Sequence, residues 1–189
     1  MHCLEPLDQN TITVGDAAPE WELVDIDGSS VNLASYWQQR PLVVVFLRHL
    51  GCIFCREQVM RLRRDYQIIS PLGNIVCIAQ GDHQTGKAFS ILFETPFPLL
   101  MCGSDLGVYS AYGLVRGTFR QIFGIVPMFR AIKAMFGGSL QGPMMGEGMQ
   151  MPGTFVVGKD GLIKLVHRHV DISDHIETAE IMAVLNTCR

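Results

Sequence analysis

The patterned part of the chain opens with alternation. In "WELVDIDGSSVNL", Trp21, Leu23 and Val24 form a short strand, Asp27-Gly28 supplies a turn, and Val31 and Leu33 return, which reads as a hairpin. A short helical stretch over 34–39 follows, and Pro41 starts the next strand. "LVVVFL" is apolar throughout and rich in β-branched residues, the pattern of a central strand buried on both faces. From Cys52 the period changes. Cys52, Cys55, Val59, Leu62, Tyr66 and Ile69 recur every three or four residues with charged residues between them, which predicts a helix ended by Pro71 and Gly73. "NIVCIAQ" is a second strand, so strand, helix and strand form a βαβ crossover. A helix over 84–93, a short strand in "PLLMC" and a helix over 105–112 come next, the last with Gly113 as its C-terminal cap after Tyr112. "GTFVVG", the turn "KDG" and "LIKLVHRH" make a second hairpin. "SDHIETAEIMAVLNTC" predicts a final helix with Ser173 as N-cap and Ile176, Ala179, Ile181, Met182 and Leu185 as its apolar face.

One block, 114–151, breaks this alternation. Phe119, Ile122, Val126, Phe129 and Phe136 are roughly helically spaced, Arg116, Arg120, Arg130 and Lys133 lie between them, and Pro127 should kink the segment. A Gly- and Met-rich stretch follows, in which Met144, Met145, Met149 and Met151 offer an adaptable apolar surface for substrates. The block reads as a helical insertion before the C-terminal hairpin, with three uses open to it: covering the edge of an active site, forming a homodimer contact, or touching lipid.

Composition narrows the class. A chain of 189 residues supports one core, so 1–189 is expected to be a single domain with a loose N-terminal segment over 1–12. No run approaches the roughly 18 apolar residues of a spanning helix. "MHCLEPLDQN" lacks the basic start and apolar stretch of a secretory signal, so a cytoplasmic location is expected. A formal charge of -3 gives no pull toward nucleic acid or anionic membrane. The 6 cysteines are unevenly spaced and do not read as a disulfide framework, and in a reducing compartment a CxxC is redox-active or metal-binding more often than structural.

"HLGCIFCREQ" is where chemistry enters. The pair Cys52 and Cys55 stands where a buried strand turns into a helix, and a helix N-terminus favours an anion. A thiol there has a lowered pKa, and the thiolate is the reactive form. Arg48 and His49 could add positive charge. On this reading Cys52 is the exposed attacker, and Cys55, one turn in, resolves the mixed disulfide. Two other readings fit the pair. A zinc site needs further ligands, and "HRH" is the one candidate partner; an inert buried pair would pack as small hydrophobes. Pro152, just before a strand, is a candidate for a cis Met151-Pro152 bond that would turn the backbone of Met151 toward an extended substrate; alternatively it only keeps the loop from continuing the strand.

Four stretches, "VGDAAPEWELVDIDGSSVNL", "RPLVVVFLRHLGCIFCREQ", "YSAYGLVRGTF" and "GEGMQMPGTFVVGKDG", together resemble the peroxiredoxin-like proteins of the alkyl hydroperoxide reductase and thiol-specific antioxidant (AhpC/TSA) family, in the peroxiredoxin-like 2 branch that carries a CxxC. The similarity runs over about 14–185. It implies an α/β, thioredoxin-like fold, a central mixed β-sheet flanked by helices, and thiol-dependent redox activity. True peroxiredoxins use P-x-x-x-T-x-x-C. Aligning that cysteine with Cys55 puts Arg48 in place of the proline and Cys52 in place of the threonine, and Pro152 stands where their peroxide-steadying arginine belongs. Arg48 or Arg116 could replace that arginine. The register of the family picks Cys55 as nucleophile, whereas helical spacing buries Cys55 and picks Cys52.

Among the remaining groups, Cys77 and Cys102 read as core, Cys3 and Cys188 lie near the termini, and His167 and His169 share a solvated strand face. The function expected is a thiol-disulfide oxidoreductase that reduces hydroperoxides or protein disulfides through Cys52 and Cys55. It would be recycled by a thioredoxin or glutathione system and need no bound cofactor. Some members of the branch act on prostanoid endoperoxides, so the resemblance keeps a lipid peroxide in view. A non-catalytic binding module on the same fold is the rival from another class.

Overall fold

The computed structural model describes residues 11–118, 121 and 146–188. Cys3, the first ten residues and most of the predicted insertion, including Phe119, Pro127, Met144 and Met145, lie outside the described residues, and so does any homodimer contact through that block.

The first hairpin pairs β1 (Glu22–Val24) with β2 (Ser30–Asn32). Its turn is closed by the Asp25 carboxylate, which accepts from the amides of Asp27 and Ser29, each at 2.9 Å. The stretch expected as a short helix is a 3-10 turn, Leu33–Tyr36, started by the Asn32 side chain accepting from the Ala34 amide at 2.7 Å. There follow β3 (Leu42–Phe46), α1 (Ile53–Ile69), β4 (Asn74–Ala79), α2 (His83–Phe93), β5 (Leu99–Met101) and α3 (Gly107–Ala111). The C-terminal part contributes β6 (Gly153–Val157), β7 (Ile163–Arg168) and α4 (Thr178–Thr187). Gly113, at φ +68°, turns the chain out of α3, as its position after Tyr112 predicts.

The strands form one mixed seven-stranded sheet in the order β2-β1-β5-β4-β3-β6-β7. β3 runs parallel to β4 and β4 to β5, while β6 pairs antiparallel with β3 and with β7. β3 lies inside the sheet, and its alternation serves two cores. Val43, Val45 and Leu47 pack against α1 and against Ile181 and Leu185 of α4. Leu42, Val44 and Phe46 pack on the other face with Leu33, Trp37, Tyr109 and Phe155. The sheet is therefore flanked by helices on both faces, which positions the β3-to-α1 junction between two cores.

The last helix starts later than Ser173 predicts. Glu177 stands at the N-cap position of α4 without a side-chain capping bond, and the Ser173 hydroxyl instead donates to Asp171 at 2.5 Å. Ile172 and Ile176 are buried within this loop, so their burial holds it in a non-helical path across the sheet. Among the described residues no helix is long and apolar enough to cross a membrane.

Candidate active site

β3 ends at Phe46, and the chain turns through Arg48–Gly51 before α1 begins, with Cys52 as the N-cap and Cys55 in the first turn. The Cys52 amide bonds the His49 carbonyl at 3.1 Å, and the Cys52 carbonyl accepts the first helical bond from the Arg56 amide at 3.0 Å. The helical spacing does bring both sulfurs to the face of α1 that looks at the sheet. It does not leave Cys52 exposed: each thiol residue is 1 % exposed, and both thiols are free.

The two sulfurs differ in surroundings. Cys52 receives the thiol of Cys55 as a hydrogen-bond donor, which is the largest cause lowering its pKa, to about 6, against the opposing effect of burial; the Cys55 amide and the Arg48 charge lower it further. The Arg48 guanidinium approaches with Nη1 at 3.9 Å from Cys52 Sγ. Burial is the largest cause raising the Cys55 pKa well above the ordinary thiol range, reinforced by its bond to Cys52. The Arg48 amide donates to Cys55 Sγ at 3.2 Å.

Arg48 also reaches across to a segment far away in sequence. Its Nε donates to the Gly148 carbonyl at 2.6 Å, so one guanidinium bridges the Cys52 sulfur and the stretch 146–150. Gln80, just past the end of β4, joins the same assembly. Its Nε2 donates to the Arg48 carbonyl at 2.5 Å and the Glu147 carbonyl at 3.2 Å, and its Oε1 accepts from the Glu147 amide at 2.6 Å. Gln80, Glu147 and Gly148 escape a search for reactive groups. The signal available for Gln80 was a polar residue directly after the apolar run "NIVCIA".

Other predicted site residues fall elsewhere. His49 is buried and supplies no positive charge, since desolvation first, then Arg48 and Arg56, lower its pKa to about 4. Arg116, with a side chain 69 % exposed, pairs with Glu147 at 3.1 Å on the outside, so of these two arginines it is Arg48 that stands at the sulfurs. The Met151-Pro152 peptide is trans, and the Met151 backbone is already engaged: its amide donates to the Val115 carbonyl at 3.1 Å and its carbonyl accepts from Gln150 Nε2 at 3.2 Å. Met151 is buried in the core that holds Cys52, and the half-buried Met149 packs against that core.

His169 is 4 % exposed, not solvated, and His175, from the loop that carries Ile172 and Ile176, packs against it. Its ring stacks edge-on between His167 and His175, with centroids at 5.1 and 5.4 Å. Among the described residues no group of three or more His, Cys, Asp or Glu side chains is arranged to hold a metal ion. Cys77 is fully buried and its thiol is pushed far up, whereas Cys102 is half-buried, with burial raising its pKa to about 11. Cys188 bonds the Val184 carbonyl at 3.2 Å.

Comparison with known proteins adds to this geometry. Peroxiredoxin-like 2C of Mus musculus is 26% identical over 171 residues, covering 84% of this chain and 74% of its own. Prostamide/prostaglandin F synthase of Salmo salar is 28% identical over 173 residues, covering 87% and 84%. Among solved structures, peroxidoxin BcpB from Mycobacterium tuberculosis superposes with a TM-score of 0.69 at 18% identity, covering 94% of this chain and 99% of the other. The thiol peroxidase from Chromobacterium violaceum does so at 0.67 with 15% identity, covering 94% and 88%. These structural likenesses confirm a thioredoxin-like peroxiredoxin fold. The AhpC/TSA family profile matches residues 14–166, and the chain therefore belongs to the AhpC/TSA family.

Proposed function

We propose that this protein is a thiol-dependent oxidoreductase in which Cys52 is the attacking thiolate and Cys55 the resolving thiol. The observation that carries the reading is the asymmetry of the pair. Cys52 is faced by the Arg48 guanidinium and by the Cys55 thiol as donor, and both favour its charged form. Cys55 is held protonated by burial until its partner has reacted. Family membership supports thiol chemistry in general, and peroxides as substrates in general.

In the first step the Cys52 sulfur attacks the terminal oxygen of a hydroperoxide. An S–O bond forms as the O–O bond breaks, the sulfur loses two electrons, and the alkoxide takes a proton from solvent to leave as the alcohol. Arg48, already beside Cys52 Sγ, would steady the negative charge that passes from sulfur to oxygen. In the second step Cys55 gives up its proton and attacks Cys52 Sγ. The S–S bond forms, the S–O bond breaks, and hydroxide leaves as water with that proton. A disulfide enters the same cycle with a thiolate as leaving group. A thiol reductant, of thioredoxin or glutathione type, then returns two electrons and two protons. The salmon relative is named as a prostamide/prostaglandin F synthase, which keeps a lipid peroxide as a further candidate substrate.

The test is timed oxidation of the reduced protein by hydrogen peroxide, quenched by alkylation and read by mass spectrometry. Wild type should accumulate a Cys52-Cys55 disulfide. Cys55→Ser should stop at oxidised Cys52, and Cys52→Ser should slow the reaction by about a hundredfold or more. A reaction that survives in Cys52→Ser and disappears in Cys55→Ser would reverse the roles.

A further inference from the structure

An attacking thiol that is 1 % exposed needs a route to its oxidant, and the route is set by what covers it. Residues 146–150 run beside the site as a strap, with Met149 packed against the core that holds Cys52. It is held to the sulfur by the Arg48 guanidinium, which bonds Gly148 on one side and faces Cys52 on the other. It is held to the end of β4 by Gln80, whose amide engages both backbone groups of Glu147 and, through the same nitrogen, the Arg48 carbonyl. One buried side chain thus ties the strap to the residue that holds the thiolate.

Among the described residues, the contacts at the two ends of the strap differ. At its far end the buried Gln150 donates to the carbonyls of Leu114 and Val115 at 3.1 and 3.4 Å, and Gly117 donates to the Met149 carbonyl at 2.7 Å, so this end is fixed to the body. At its near end Gly146 takes φ +78°, and a Cβ built there would lie 2.4 Å from Gln80 Oε1. Only glycine lets the strap lie this close to Gln80. The Arg116–Glu147 pair, exposed on its arginine side, is screened by solvent and holds weakly. An open cleft of about 570 Å³, lined by Gln80, Asp82, Leu106 and Glu147 among others, borders this near end and gives it room to move.

We propose that the strap selects oxidants by size and that Gln80 is the residue that sets the selection. This inference rests on Cys52 being the attacking thiol. With the strap down, a hydroperoxide is small enough to reach Cys52 Sγ, whereas a disulfide within a protein, whose two sulfurs must line up with the attacking one, reaches it only after the Gln80–Glu147 and Arg48–Gly148 bonds have parted. The protein is then a hydroperoxide reductase first and a protein-disulfide reductase only in its open form.

Two variants loosen the strap from opposite sides of one contact: Gln80→Ala removes the amide, and Gly146→Ala pushes against it. Each is first checked for folding by circular dichroism. Two ratios are then read at the Cys52 peptide by mass spectrometry, labelling by a polyethylene glycol maleimide relative to iodoacetamide, and oxidation by insulin disulfides relative to hydrogen peroxide. Both ratios should rise at least about tenfold in both variants, with Gln80→Glu, which keeps the acceptor and loses the donor, in between. Unchanged ratios in a folded variant overturn the strap, and a labelling ratio that rises while the oxidant ratio stays put overturns the selection. The labelling ratio does not depend on turnover, so oxidation that persists in Cys52→Ser overturns the nucleophile assignment and is told apart from failure of the strap.

Discussion

Arg48 serves the site with both of its ends. Its amide bonds Cys55 Sγ, and its guanidinium faces Cys52 Sγ while holding Gly148. A lowered thiol pKa means that Cys52 is largely thiolate above about pH 6, so its alkylation by iodoacetamide should rise with pH through a midpoint near that value. Arg48→Met removes a charge that favours the thiolate, and the midpoint should move upward by as much as about one unit, while Arg48→Lys should keep it nearly in place. The midpoint rather than the rate is the readout, because losing the Gly148 bond also loosens the strap. An unmoved midpoint in Arg48→Met would remove the guanidinium from the activation of Cys52. The two neighbours Arg48 and His49 look equivalent in the sequence as sources of charge. Burial separates them, because an imidazole can shed its proton when desolvated and a guanidinium cannot.

At the level of elements, the position of the cysteines depends on how β3 is held where it ends. Tyr109 of α3 donates to the Leu47 carbonyl at 2.6 Å and lies 3.3 Å from the Ile78 carbonyl, joining α3 to the ends of β3 and β4 directly beneath the turn into α1. Its ring also packs against Phe46 at 5.0 Å. Tyr109→Phe keeps the ring and leaves a buried carbonyl without its donor, so the protein should lose about 1–3 kcal/mol in urea unfolding. A loss well below this range would mean that other contacts suffice to fix the junction. That α3 exists, and that Gly113 ends it, is legible from the local pattern. That its tyrosine reaches the last turn of the active strand is not, since 62 residues separate Tyr109 from Leu47.

For the molecule as a whole, the enclosed histidines couple stability to pH. His49, His169 and His175 all have folded pKa values lowered mainly by burial, to about 4 for His49 and His175 and to about 2 for His169. In the unfolded chain they titrate near about 6.5. Above that pH both states are neutral at these positions and no penalty applies. As pH falls below it the unfolded chain takes up protons that the folded chain refuses, and stability declines until the folded histidines also protonate. Each such histidine adds at most about 1.4 kcal/mol per pH unit to the slope. The melting temperature should therefore fall steadily from pH 6.5 to pH 4, and His169→Leu should flatten that fall. Identical slopes for wild type and His169→Leu would show that this imidazole protonates freely in the folded state.

Hydrophobic period is a local property, and it was enough to place the buried β3, the inward face of α1 with both cysteines on it, the βαβ crossover and the C-terminal hairpin. Four separated stretches were enough to mark the family. Exposure, charge state and access are not local. Arg48, which faces Cys52, meets Gly148 across 100 residues of chain, and Gln80 meets Glu147 across 67. His169 is enclosed where His175, in a stretch expected as helix, packs its ring against it. Which side chain keeps its charge depends on the water removed around it, and only the folded chain decides what removes that water.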